Sequence, residues 1–252
     1  MGRDAFACFT FDNMGEAADV GAGLRDGPAP EPDRSLTEGY PRLLDLLDRH
    51  GIRATFFVEG WNGVHHPDAV AELARRGHEV GMHGWTHERW DTLEPEAELA
   101  LAARATEALA DAAGTRPTGF RAPGGSRSAA TESILSQLGY AYDASLGDGM
   151  RAARLPSGLA QVPFVWPCVD GFHYLRPEPA EPAAVRAQWL QALERVAEHG
   201  GLFLLICHAF ISGVEEARLR VLRDVIRAAD SDPRVEIRTA GEIADSLLGE
   251  PS

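Results

Sequence analysis

An α/β fold is predicted, in the form of an irregular barrel of seven or eight β/α units making a single domain over residues 1–252. Three observations lead there. Short apolar or alternating segments of strand length alternate with longer helical ones from one end of the chain to the other. The 252 residues match the length such a barrel needs. No shift of composition marks an internal boundary. A doubly wound open sheet is the competing topology.

The elements follow in order. Phe6–Asn13 is short, apolar and β-favouring. A helix is expected over Ser35–His50, with Ser35 as N-cap, Glu38 completing a capping box and Gly51 closing the C-terminus. Arg53–Glu59 reads as a second strand, Pro67–Arg76 as a short helix ended by Gly77, and His78–His83 as a third strand. Glu94–Ala113 is rich in alanine and glutamate, the strongest helix in the chain. A brief strand at Gly119–Ala122, a helix at Thr131–Leu138 and a strand at Tyr140–Ser145 come next. Gln161–Val169 is a sixth strand made irregular by Pro163 and Pro167. Pro182–His199 is a long helix. Leu202–His208 is almost wholly apolar, as a strand buried on both faces should be. Glu215–Ala229, Val235–Arg238 and Ala240–Leu248 complete the pattern as helix, strand and helix. The irregular stretch Met14–Arg34 directly follows the first strand, and a loop this long suggests a lid over the catalytic face.

Composition excludes several functions. All 24 Lys+Arg residues are arginine. With no ε-amine there is no phosphate-loop lysine and no Schiff base. A formal charge of −14 repels a phosphate backbone, so nucleic acid is not an expected partner. Cys8, Cys168 and Cys207 are odd in number and far apart, which suits a reducing compartment. Met1–Asp4 runs into the first strand with no secretory leader, and no apolar run spans a membrane, so a cytoplasmic protein is expected. Ser126, Ser128 and Ser145 lack a nucleophile elbow.

In a barrel the chemistry gathers at the C-terminal ends of the strands. Those positions hold Asp12 and Asn13, His83 and His87, Arg121 with Pro123, Asp143, Trp166 with Asp170, and His208. Any one of them has an ordinary structural explanation; their coincidence on one face does not. His83 and His87, four residues apart, suit a metal, and Asp12 or Asn13 is the natural source of a third ligand.

Taken together, TFDN (10–13), HEVGMHGWTH (78–87), FRAP (120–123), WPCVD (166–170) and LLICH (204–208) resemble the polysaccharide deacetylases, the NodB-homology group of carbohydrate esterase family 4. The motifs appear in family order across residues 6–210. The resemblance implies an irregular barrel and a hydrolase of N-acetyl or similar amides, with a divalent metal: zinc first, then cobalt, nickel or manganese. It implies Asp12 as general base and Arg121 as its partner. His208 would be the general acid, oriented by Asp170. Asn13, His83 and His87 would be the metal ligands, although the family carries a second aspartate where this chain has Asn13. Glu16 and Asp19 are alternative sources of the missing carboxylate. Pro123, Tyr142, Asp143 and Trp166 fall on the substrate side. Cys207 alternates to the opposite strand face from His208 and is expected to pack.

An amino sugar, an oligosaccharide or a sugar-containing small metabolite is therefore the expected substrate. A cyclic amide or ureide hydrolase, with or without metal, is the alternative within the same fold. An inactive sugar- or protein-binding relative is the alternative outside catalysis. Oligomeric state is not legible in the sequence.

Overall fold

The computed structural model describes residues 5–31 and 33–249. Met1–Asp4, read above for a leader, lies outside the described residues. Nine strands form one sheet among them: β1 Ala5–Asp12, β2 Thr55–Val58, β3 Glu79–Met82, β4 Gly119–Phe120, β5 Tyr142–Asp143, β6 Ala153–Arg154, β7 Ala160–Gln161, β8 Gly201–His208 and β9 Glu236–Ile237. The helices are α1 Ala17–Gly21, α2 Tyr40–His50, α3 Gly60–His65, α4 Pro67–Arg75, α5 Pro95–Ala113, α6 Thr131–Gln137, α7 Asp170–Tyr174, α8 Pro182–His199, α9 Glu216–Ser231 and α10 Ala240–Leu248. The strand order is β6-β7-β5-β4-β3-β2-β1-β8, with β9 pairing the start of β1. Every pairing is parallel except that of β6 with β7.

The sheet curls into a barrel closed only by single bridges. Phe164 pairs with Leu146 and Val169 with Ile206, so the segment 164–169 spans the gap between β5 and β8. This is where Gln161–Val169 was expected to be one strand. Only Ala160–Gln161 is a strand, and Trp166–Cys168 turns as a 3₁₀ helix. Pro163 and Pro167 carry no N–H for a continuous ladder.

Strand alternation divides the core. Ala7, Phe9, Phe11, Phe203, Leu205 and Cys207 belong to the layer packed under the helices. Cys8, Leu202, Leu204 and Ile206 belong to the barrel interior, with Phe57 and Tyr142. Residues i and i+2 share a face, so Asp12 and His208 inherit the inward direction and Cys207 the outward one. All three cysteines are buried and free. Burial pushes their thiols up, which leaves them without nucleophilic character.

Two local expectations fail for physical reasons. The Ser35–Glu38 capping box does not form. The Ser35 N–H is taken by the Asp33 carboxylate at 2.7 Å, and Glu38 pairs with Arg34 instead. Ser35–Gly39 winds as a π-type turn before α2. The Met14–Arg34 stretch is not a lid over the pocket: apart from Asn13, which precedes it, none of its described residues lines the cavity. Its first part, with α1, is tied down. Glu16 accepts the Ala29 N–H at 2.9 Å and pairs with His66 at 3.2 Å. A side chain at Gly21 would strike the Thr86 carbonyl, so α1 lies flush against the turn that carries His87.

Candidate functional site

Asp12 and His208 are register partners on the neighbouring strands β1 and β8. Val58 pairs with Met82 and Met82 with Phe120, so His83 and Arg121 leave adjacent strands at one level. The result is a cavity of about 310 Å³ at the C-terminal end of the barrel. One side of its wall is Asp12, Asn13, His83, His87, Arg121 and His208. The other is apolar: Phe164, Trp166, Val169, Phe172, Leu175 and Ile206. A wider depression of about 830 Å³ at the opposite end of the strands contains the Arg53–Glu242 ion pair and the His50–Asp230 hydrogen bond, so these side chains are already partnered.

Arg121 is 1% exposed, with Nη1 and Nε bonded and Nη2 buried without a hydrogen-bond partner. Its Nη1 donates to Asp12 Oδ1 at 2.7 Å and to Thr10 Oγ1 at 2.8 Å, and its Nε donates to the Ala144 carbonyl at 2.8 Å. The guanidinium stands 4.1 Å over the Phe57 ring. Burial alone would raise the Asp12 carboxyl. The Arg121 charge, helped by that of His208, outweighs it and holds Asp12 below its ordinary range.

His208 is built the other way. Its Nδ1–H donates to Asp170 Oδ1 at 2.5 Å, and its backbone N–H donates to Asp170 Oδ2 at 2.8 Å. The Ser212 hydroxyl donates to the same Oδ2 at 2.6 Å. Burial alone would lower the imidazolium, but the charge and hydrogen bond of Asp170 prevail and raise it. Asp170 itself lies behind His208, fully buried. The site thus holds a carboxyl shifted towards its ionised form and an imidazole shifted towards its protonated form, facing one cavity.

His83 and His87 sit with ring centroids 5.1 Å apart. The His83 Nδ1–H donates to the Arg121 carbonyl at 2.8 Å, which leaves Nε2 as a lone-pair donor. Burial pushes His83 down to about 3 and lowers His87 as well, so both rings are neutral. The turn between them is stapled by Glu88, which accepts the N–H of Trp85 at 2.9 Å and of Thr86 at 2.8 Å. Among the described residues no three His, Cys, Asp or Glu side chains form a metal cluster. The third donor available on the wall is the Asn13 carboxamide, giving two imidazoles and an amide oxygen. That set fits a divalent ion, with no anionic ligand. Glu16 is held by Ala29 and His66, and Asp19 by Arg25, so neither supplies the missing carboxylate.

Of the substrate-side expectations, only Trp166 lines the cavity, 40% exposed. Tyr142 is buried in the barrel with its hydroxyl donating to Glu79 at 2.8 Å. Asp143 pairs with Arg127 and Ser145. Pro123 is buried against the turn at Gly84. None of these three lines the cavity.

Glu59, at the end of β2, escaped sequence reading. It is fully buried, with Oε2 accepting the Met14 N–H at 3.1 Å. Burial pushes its carboxyl up to about 8. A carboxyl raised in the folded state costs stability as pH climbs from its unfolded value to its folded one. The melting temperature of metal-free Glu59→Gln should therefore gain on that of the wild type between about pH 5 and about pH 8. A difference that stays flat across that range would count against a neutral Glu59.

Comparisons with known proteins identify the family. Residues 7–142 match the family described as polysaccharide deacetylase. A peptidoglycan deacetylase of Helicobacter pylori is 33% identical over 108 residues, 43% of this chain and 37% of that protein. Chitin deacetylase 1 of Saccharomyces cerevisiae is 31% identical over 136 residues, 54% of this chain and 42% of that one. The chain therefore spans well under half the length of these curated relatives. A solved Mycobacterium smegmatis structure assigned to the polysaccharide deacetylases superposes with a TM-score of 0.89 at 28% identity, covering 99% of this chain and 92% of its own. Deacetylases of this group are generally metal-dependent. The chain belongs to the polysaccharide deacetylase family, the NodB-homology group of carbohydrate esterase family 4.

Proposed function

We propose that this chain is a metal-dependent amidohydrolase that releases acetate from N-acetylated amino sugars of a polysaccharide or its oligosaccharides. The observation that carries the reading is the opposition of two oriented pairs, Asp12 with Arg121 and His208 with Asp170, across one cavity. The relatives named for peptidoglycan and chitin favour a polymer over the small metabolite that the sequence alone suggested.

In this reading Asp12 accepts the proton of the attacking water, and Arg121 keeps it ionised and aimed. His208 donates its proton to the departing amine nitrogen, and Asp170 keeps that proton in place. Asn13, His83 and His87 hold the ion, zinc first. When bound, the ion polarises the amide carbonyl and eases deprotonation of water. Trp166 and the apolar wall receive the acetyl group and the sugar face.

Acetate release from N-acetylated chito-oligosaccharides and from peptidoglycan, before and after chelation and return of Zn²⁺, tests the reading. Full activity in metal-free protein sinks the metal. Binding of these carbohydrates without acetate release would instead fit an inactive relative. Asn13→Asp adds an anion to a neutral donor set and should tighten Zn²⁺ binding by about tenfold or more. Aspartate tolerates the left-handed backbone of this position nearly as well as asparagine does.

A further inference from the structure

One four-residue segment, Glu59-Gly60-Trp61-Asn62, lies at the join of β2 and α3 and bonds to the backbone beside Asn13 and within the turn from His83 to His87. Gly60 N–H donates to the Gly84 carbonyl at 2.9 Å, and Trp61 N–H to the Trp85 carbonyl at 3.0 Å. The turn carrying His83 and His87 is thereby bonded to this segment. Glu59 Oε2 accepts the Met14 N–H at 3.1 Å and the Asn62 Nδ2–H at 3.0 Å. From the other direction the Tyr40 hydroxyl donates to the Asn13 carbonyl at 3.1 Å. The peptide unit joining Asn13 to Met14 is thus held at both ends, its C=O by Tyr40 and its N–H by Glu59.

Three features distinguish this from ordinary packing. Asn13 and His87 are the two non-glycine residues with positive φ among those described, at 59° and 65°. Such backbone is strained and persists only where neighbours over-determine it. The bonds above fall on the peptide that follows Asn13 and on the turn that ends in His87. Glu59 Oε1 and Asn62 Oδ1 are buried with no partner. Each such atom carries a desolvation cost that an apolar residue at that place would avoid. Finally, a side chain on Gly60 would meet Ala105 Cα at 2.4 Å and the Trp85 ring at 3.0 Å. The segment is seated against the histidine turn without slack.

We propose that Glu59 and Tyr40 are positioning residues. Through the Asn13–Met14 peptide and the Glu59–Asn62 segment, they fix the placement of Asn13 relative to His83 and His87 for a divalent cation. The proposal rests on the assignment of those three residues to the ion.

Zn²⁺ affinity, measured by competition with a chromophoric chelator, tests it without reference to turnover. Glu59→Leu removes the acceptor of the Met14 N–H, and Tyr40→Phe removes the donor to the Asn13 carbonyl. Glu59→Gln keeps an acceptor oxygen and serves as the rescue. Val225→Ala, in the core of α9, reports what loss of stability alone does. Loosening a group that supports a ligand weakens metal binding by about 10–100-fold. That rise in Kd is expected for Glu59→Leu and Tyr40→Phe, with Glu59→Gln close to wild type and Val225→Ala unchanged. If Glu59→Leu does not fold, Tyr40→Phe decides alone. Wild-type binding of Zn²⁺ with no change in Tyr40→Phe, or a change no larger than in Val225→Ala, overturns the bracket and spares the metal site. No Zn²⁺ binding by the wild type overturns both.

Discussion

Asp12→Asn is expected to lower kcat for acetate release by about 10²–10⁴-fold, the range a positioned general base contributes. The change keeps size and one acceptor oxygen but removes the charge that takes the proton. Its effect on folding should be separable, because Asp12 and Arg121 are buried together at 2.7 Å. Asp12→Ala leaves the Arg121 guanidinium buried without an anion, a loss of about 3–5 kcal/mol. Asp12→Asn leaves the same charge unpaired but still offers it an oxygen, so its loss should be smaller. Replacing both partners, as Asp12→Asn with Arg121→Met, should recover part of the stability while restoring none of the activity. The pair also sets a pH dependence. Asp12 is held below its ordinary range, so its contribution is present above the unfolded carboxylate pKa and is lost as pH falls through the lowered value. Arg121→Met removes the largest effect opposing burial, and the acid limb of kcat/KM should move to higher pH. Urea unfolding and initial rates across pH measure both effects. Activity within tenfold of wild type in Asp12→Asn would remove Asp12 from the base role.

The fold was largely legible because its signals are local. Leu202–His208 is apolar at every position before the histidine, and Gly51, Gly77 and Gly139 each end a helix or its adjoining turn with positive φ. The convergence of Asp12, His83, Arg121 and His208 was legible too, since strand ends in a parallel barrel share one rim and register does the rest. What was not legible depends on direction or on distance along the chain. Tyr142 and Asp143 were assigned to the substrate side by the family resemblance. A strand residue faces one side or the other, and at β5 the tyrosine faces the barrel floor at Glu79 while the aspartate is taken by Arg127 and Ser145. The Ser35–Glu38 capping box failed because a nearby carboxylate, Asp33, competed for the same N–H and won. Tyr40, Glu59 and Ser212 act on Asn13, Met14 and Asp170 from 27, 45 and 42 residues away. No periodicity or motif connects such positions. Glu88 is the exception: a carboxylate directly after His87 can reach back to the N–H groups of its own turn, and that spacing was open to view.

Asp170→Asn should move the alkaline limb of kcat/KM to lower pH and cut the rate near neutrality by about 10²–10⁴-fold. His208 must hold a proton to serve as the acid. In the wild type the Asp170 charge and hydrogen bond raise it above the ordinary imidazole value of 6.5, against the opposing effect of burial. Asparagine removes the charge and leaves burial to dominate, so the imidazole deprotonates earlier. The linked stability has the same sign. A raised histidine stabilises the fold fully below its unfolded pKa, and that contribution is lost as pH rises through the folded one. The stability gap between wild type and Asp170→Asn should therefore close on going from acid to alkaline conditions. Ser212→Ala provides the graded case. It removes one of the bonds to Asp170 Oδ2 but leaves the carboxylate charge in place, so the alkaline limb should shift far less than in Asp170→Asn. Rate–pH profiles of the three proteins on one N-acetylated oligosaccharide decide it. An alkaline limb unmoved by Asp170→Asn would mean that some group other than His208 sets it, and would take the general-acid role from His208.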